Sequence, residues 1–326
     1  MKQVIKYAAI IFALALATTI IGGCLTAGIS VVRMIVEKTG DNFNSEAGEG
    51  IWYRTEDGDV VFMGIRFGGK GNVKSGSNQF ERSEIKALDI EGMSGELIIE
   101  AWDGDSFSVV YENIAEDYEI LNIDGTLTVQ YDDNLFVWGA SFTEMPKITV
   151  QVPKGVLLDS AMIEKGSGSA RISEIAAKTL RIDSGSGTVT VSDVEADETK
   201  IDSGSGAVTV KDSGLGETVL DTGSGFVNFK NVISKNLVVD SGSGRIDYEG
   251  SLSGNCVFET GSGSVNLEVY GNKEDYNIRA DLGSGGLYIN GAKEKDTDIK
   301  YDGAANWLIF DTGSGRVSVN FRSAAE

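Results

Sequence analysis

Three patterns in this sequence could carry chemistry. The first is Gly64-Ile65-Arg66-Phe67-Gly68-Gly69-Lys70-Gly71, which nearly spells a phosphate-cradling loop. It lacks the Ser/Thr after the lysine that would hold Mg²⁺, and no helical pattern follows to aim its dipole at a phosphate. The second is a set of acidic turns, Asp103-Gly104-Asp105, Asp124-Gly125 and Asp132-Asp133. Their oxygens suit calcium, yet no complete calcium loop is spelled out and solvated turns account for them. The third is an acid that recurs just before a glycine turn, at Asp183, Asp202, Asp221, Asp240, Glu259, Asp281 and Asp311. Stacked at strand spacing, about 4.8 Å, such acids need turn hydrogen bonds or bound cations to relieve them, and backbone bonding by Asp is the expected answer.

The chemistry that is missing narrows the field further. The chain has 326 residues and no histidine. A Ser-His-Asp or Cys-His site therefore cannot be assembled. Its two cysteines, Cys24 and Cys256, lie far apart and imply neither a disulfide framework nor a zinc site. The sequence predicts no catalytic, cofactor-binding or metal-ligating residue and no cofactor.

Net charge is −21, and it is unevenly placed. Residues 1–40 hold Lys2, Lys6, Arg33 and Lys38 against one acid, Glu37, leaving 24 bases and 48 acids in the rest. Such a body repels nucleic acid. Gly is abundant (42) and Pro scarce (2), which argues against collagen and against Pro-rich linkers.

Tyr7 to Val32 is an uncharged run of 26 residues, and a spanning helix needs about 20. With two lysines on its short leading side, the expected arrangement is a cytoplasmic tail (1–6), a transmembrane anchor (7–32) and an extracellular remainder. Two alternatives stay open: lipoprotein cleavage before Cys24, and a cleaved signal peptide. The apolar stretch beyond Cys24 and the length of the run favour the uncleaved anchor.

Residues 33–84 read as a polar tether carrying a hairpin, with Ile51–Thr55 and Val60–Arg66 flanking Asp57-Gly58. Residues 85–158 show short period-2 strands between turn signals and read as an antiparallel entry region.

From 159 to 326 a repeat takes over. Gly-Ser-Gly begins at Gly166, Gly185, Gly204, Gly223, Gly242, Gly261, Gly283 and Gly313, with spacings of 19 five times, then 22 and 30. A fixed period of this size means a solenoid. Four apolar columns follow from counting. Five residues before each first glycine lie Ala161, Leu180, Thr199, Thr218, Leu237, Cys256, Ile278 and Leu308; three before lie Ile163, Ile182, Ile201, Leu220, Val239, Phe258, Ala280 and Phe310. Four after, the column runs from Ala170 through Val189 to Val317, and six after, from Ile172 through Val191 to Val319. Alternate strand residues share a face, so these columns point inward. A corner nine after the glycine adds Ile175, Val194 and Val232. Five buried side chains per coil, at about 1.5–3 kcal/mol each, cannot order 19 residues alone, so stability is collective. Cys256, in an inward column, reads as a small buried hydrophobe.

The glycines are expected to supply positive φ in a tight turn, with the intervening serines stacked. Outside, Met162, Arg181, Lys200, Val219, Val238 and Val257 form one column, whose three valines make a small apolar strip. Thr190, Thr209, Asn228, Asp247 and Asn266 form a polar ladder on the opposite strand, suited to solvent or glycans.

Repeated Ile-Asp-Ser-Gly-Ser-Gly-x-Val-x-Val units behind an N-terminal anchor resemble the bacterial adhesin-type, LiaG-like surface domain, DUF4097. The closing Asp311-Thr312-Gly313-Ser314-Gly315-Arg316-Val317-Ser318-Val319 is similar to the way such domains end. The resemblance covers about residues 85–326. It implies an all-β, right-handed β-solenoid (β-helix) of 19-residue coils, and it brings no catalytic residues. The functions weighed are a membrane-anchored adhesion or binding module, an accessory regulator of an envelope-stress system, and a carbohydrate-acting β-helix enzyme. The last would need a paired acidic cluster breaking the repeat, whereas the acids here recur evenly. Expected partners are a cell-envelope or host-surface ligand, or a membrane protein, and no nucleic acid.

Overall fold

A computed structural model describes residues 52–54, 60–62, 65–67, 73–92, 94–131, 136–138 and 145–322. The expected anchor (7–32), Cys24, Asp132-Asp133 and most of the near-phosphate loop lie outside these. Among the described residues no helix is long and apolar enough to cross a membrane.

In chain order the strands are β1 (Trp52–Arg54), β2 (Val60–Phe62), β3 (Ile65–Phe67), β4 (Val73–Glu81), β5 (Ala87–Gly92), β6 (Glu96–Trp102), β7 (Ser106–Ala115), β8 (Tyr118–Ile123), β9 (Thr126–Tyr131) and β10 (Phe136–Trp138). Next come β11 (Lys147–Pro153), β12 (Leu157–Lys165), β13 (Ser169–Ser173), β14 (Ala176–Ser184), β15 (Thr188–Ser192), β16 (Glu195–Ser203), β17 (Val208–Thr222) and β18 (Phe226–Ser241). The last are β19 (Arg245–Ser253), β20 (Asn255–Tyr270), β21 (Tyr276–Leu282), β22 (Gly286–Ile289), β23 (Ala292–Lys293), β24 (Asp298–Ile299) and β25 (Asn306–Arg322). They form two compact units.

In the smaller unit β1 and β2 pair antiparallel across the Asp57-Gly58 segment, with Trp52 opposite Phe62. The run Val60–Arg66 divides into β2 and β3, which pair antiparallel to each other. β10 joins β3 in parallel.

The larger unit is an all-β stack of parallel coils. β14 pairs with β16 so that Leu180 meets Thr199 and Ile182 meets Ile201, while β13 and β15 match Ala170 with Val189. This is the 19-residue step written as hydrogen-bonded rungs. Every side chain in the four inward columns is buried, down to 0% exposure for Leu180, Ile182, Val189 and Val191. The same alternation puts a further column inside, one residue before the first glycine: Lys165, Ser184, Ser203, Thr222, Ser241, Thr260 and Thr312, with Leu282 half-buried in the same register. Small hydroxyl residues fill it because the coil is narrow there. A Cβ on the third residue of the turn would stand 2.8–2.9 Å from the Oγ of Ser241 or the Oγ1 of Thr222 and Thr260.

The turn glycines serve a purpose other than the one expected. Positive φ occurs at Gly168 (94°), while no other described glycine of the Gly-Ser-Gly turns adopts it. Their requirement is closeness. A Cβ on Gly185 would sit 2.6 Å from the Gly166 carbonyl oxygen, and one on Gly187 2.2 Å from that of Gly168. Turn backbones stack directly, with Ser186 N–H donating to Gly166 O at 3.0 Å and Thr188 N–H to Gly168 O at 2.9 Å. The positive-φ residues lie at the opposite corner, eight after each glycine: Glu174 (57°), Asp193 (55°), Asp212 (48°) and Asn231 (55°). Asp and Asn tolerate that region by local hydrogen bonding, and Glu174 is held there by its coil.

The entry region is mixed rather than antiparallel, a correction to the sequence reading. β5 and β6 are themselves a coil, parallel to β12 and β13, with Leu88 beneath Ala161 and Leu97 beneath Ala170. β9 and β11 form the next rung outward, parallel to β5 and β6. The first coil in sequence is therefore second in space. The far end repeats this. β25 inserts between β20 and the β21–β22 coil, pairing in parallel with both. The last coil in sequence is next to last in space, and the 30-residue spacing is the excursion that lets the chain return.

Both ends of the stack are closed by antiparallel strands. β8 covers β9, β7 covers β11, and the polar strand β4 covers β7. At the other end β24 covers β21 and β23 covers β22. Phe321 pairs with Val269 inside the stack. β23 and β24 are two residues each and carry Lys293 and Asp298, which opposes pairing of that edge with a second chain.

Candidate interaction faces

Each coil shows solvent two sheet faces, and the repeat treats them differently. On the face made by the strands after the turn, polar side chains satisfy each other from coil to coil. Asn266 Nδ2 donates to Asp247 Oδ1 at 2.8 Å, and Asp247 also takes the Arg245 guanidinium at 2.7 Å. Tyr270 Oη donates to Glu249 at 2.9 Å, Asn320 Nδ2 to Glu268 at 2.8 Å, and Arg322 pairs with Glu268 at 2.6 Å. The expected polar ladder exists there, and its acids are already partnered.

The face made by the strands before the turn is different. Its acid column contains Asp183, Asp202, Asp221, Asp240, Glu259, Asp311 and Asp281, in spatial order. The expected turn hydrogen bonds to these carboxylates are not formed within the described residues. Asp202 is neutralised instead by Lys200 at 3.0 Å and Arg181 at 3.9 Å, which stand two residues before the acids of their own coils. In the next coils that position is apolar, holding Val219, Val238, Val257 and Ile309. Val219 is 44% exposed and the others are half-buried. Asp221, Asp240, Glu259 and Asp311 are exposed and make no ion pair within the described residues. Trp307 extends the apolar strip at its edge, with the Arg279 guanidinium 5.1 Å from its ring centroid. Sequence counting found three valines of this strip. It missed Ile309, because β25 takes its place beside β20 only in three dimensions.

The described acidic turns hold no cluster of ligands. Asp103 pairs with Lys154 at 3.0 Å, and Asp124-Gly125 forms the β8–β9 hairpin turn with both φ positive (50° and 88°). Among the described residues no group of three or more Cys, Asp or Glu side chains is placed to hold a metal ion. A groove of about 230 Å³ runs beside Val156, Leu157 and Ile175, with Glu174, Asp193 and Glu195 at its rim. Glu174 and Asp193 are there as successive corner residues of the repeat, so the rim follows the architecture.

The buried ionisable groups are structural. Burial pushes the Cys256 thiol up to about 11, and Sγ donates weakly to Ser253 O at 3.5 Å. Tyr248 is 1% exposed, and its hydroxyl lies 2.8 Å from Val232 O and 2.9 Å from Ser251 O. Burial drives its pKa far up. Lys165 heads the hydroxyl column at 3% exposure, donates to Ser167 O at 2.5 Å, and is pushed down to about 8 by burial.

The Toastrack DUF4097 family matches residues 85–320, from the first stacked coil to the last. The chain belongs to that family. Among solved structures, a candidate adhesin from Bacteroides fragilis shares 14% identity over 77% of this chain and 100% of its own, at a TM-score of 0.44. A candidate adhesin from Parabacteroides distasonis shares 14% over 77% and 98%, at 0.43. A candidate cell adhesion protein from Clostridium sporogenes shares 15% over 77% and 100%, at 0.35. No curated protein matches.

Proposed function

We propose that this Toastrack protein is a non-enzymatic binding module displayed at a bacterial cell surface. Residues 7–32 anchor it in the membrane with the N-terminus inside, and the solenoid faces outward to meet a cell-envelope or host-surface ligand. The observation that carries this reading is the contrast between the two sheet faces. One has its acids paired internally, and the other presents an apolar strip beside open carboxylates, the composition of a contact surface. The evenness of the repeat weighs against catalysis. Hydrolysis of a glycoside needs two carboxylates in unlike environments, and the open carboxylates Asp221, Asp240, Glu259 and Asp311 share one setting, each two residues after an apolar side chain.

The full-length chain in liposomes can be co-sedimented with washed bacterial envelopes, glycan particles and host cells, with and without calcium. Saturable pelleting with one of these is the expected result. Pelleting with none would remove the adhesion reading and favour the accessory-regulator alternative, in which a membrane protein is reached through the anchor.

A further inference from the structure

The stretch of solenoid from Val219 to Ile309 carries a specific mismatch. In the coils that hold Arg181 and Lys200, the basic residue two before the acid neutralises the ladder from within. Four successive rungs later in the stack, Val219, Val238, Val257 and Ile309 replace that base, while Asp221, Asp240, Glu259 and Asp311 keep the acid. The fold thus retains four like charges about 4.8 Å apart and discards the cations that would relieve them. A second copy of this chain, at a net charge of −21, would worsen the repulsion.

We propose that this face docks a basic amphipathic helix of a partner protein, its apolar stripe on Val219, Val238, Val257 and Ile309 and its Lys/Arg stripe on the adjoining acids. The inference deepens the surface-binding reading by naming the face and the partner chemistry. Spacing selects a helix over an extended peptide. Rungs recur every ~4.8 Å, and helix turns every ~5.4 Å, so the two drift apart by only ~2 Å over three steps. Same-side residues of an extended strand recur every ~6.7 Å, which loses ~6 Å over the same three steps. A helix over a half-exposed β face is also an ordinary layer arrangement. Charge complementarity supplies the orientation, and the apolar strip supplies contact that salt does not screen.

The test uses the full-length chain in liposomes and a synthetic Lys/Leu helix of about 14 residues, long enough for those rungs. A scrambled peptide of the same composition, without an apolar stripe, is the control. The helix should bind at least tenfold more tightly than the scrambled peptide. Val238→Lys places there the base that the coils of Arg181 and Lys200 carry in the same column, so the fold accepts it. It should weaken helix binding at least tenfold with unchanged circular dichroism. Asp240→Asn combined with Glu259→Gln should do the same without adding bulk. Equal binding of both peptides, or variants that bind as the parent does, would overturn the inference. So would absence of peptide binding while the liposomes still pellet with envelopes, an outcome that leaves the surface-binding reading standing. Helix binding without any envelope pelleting would support the face and remove that reading.

Discussion

The Gly187 carbonyl oxygen occupies the space that a Cβ on Gly206 would need, at 1.6 Å. Stacked turns meet backbone to backbone, and neither can yield without breaking its bond to the coil below. Gly206→Ala should therefore destabilise the solenoid by about 3 kcal/mol or more, whereas Ser205→Ala, at an exposed site in the same turn, should change it by less than about 0.5 kcal/mol. Urea unfolding of the two variants checks this. Equal effects would return the glycines to a conformational role.

Truncation after residue 302 removes β25, which fills the space between β20 and the β21–β22 coil. In a simple solenoid, loss of the last segment trims an end. Here it opens two unpaired edges and strands the closing coil. The expected product is aggregated or oligomeric on size-exclusion chromatography. A monomer with a shortened but cooperative unfolding transition would contradict the inserted position of β25.

Lys165 gives a pH signature. Its folded pKa is lowered, to about 8, because burial disfavours the ammonium. The unfolded chain therefore binds more protons between about 8 and the ordinary lysine value of 10.5, and stability rises with pH across that window. The penalty is fully present below about 8. Lys165→Met should be the more stable protein at pH 7, and its advantage should shrink as pH climbs above 8. Thermal melts of both proteins at pH 7 and 9.5 measure that difference, and a constant gap would exclude Lys165 as its source.

Tyr248 Oη bridges two backbone carbonyls at the corner, Val232 O and Ser251 O. The hydroxyl has one proton to donate, so it serves them in alternation. Tyr248→Phe keeps the ring contact with Phe229, whose centroid lies 5.4 Å away, and removes the donor. A loss of about 1–2 kcal/mol in chemical denaturation is expected, and no measurable loss would mean that the carbonyls are satisfied otherwise.

What the sequence determined by itself is the rung. Gly-Ser-Gly at a 19-residue step, with Ile182 and Val189 at fixed offsets, states which side chains point inward, because strand alternation is local and the same for every coil. The outward columns follow from the same parity, including the change from Arg181 and Lys200 to Val219. Tertiary structure alone decided the order of the rungs. Near-identical coils offer near-identical edges, so nothing local tells β25 to enter beside β20, or places β5 between β12 and β9. It also decided why the turn residues are glycine, since that constraint comes from a backbone one coil away and not from the turn's own dihedrals. The apolar strip gained Ile309 for the same reason. Its neighbour Val257 lies 52 residues back in the chain and one strand away in space.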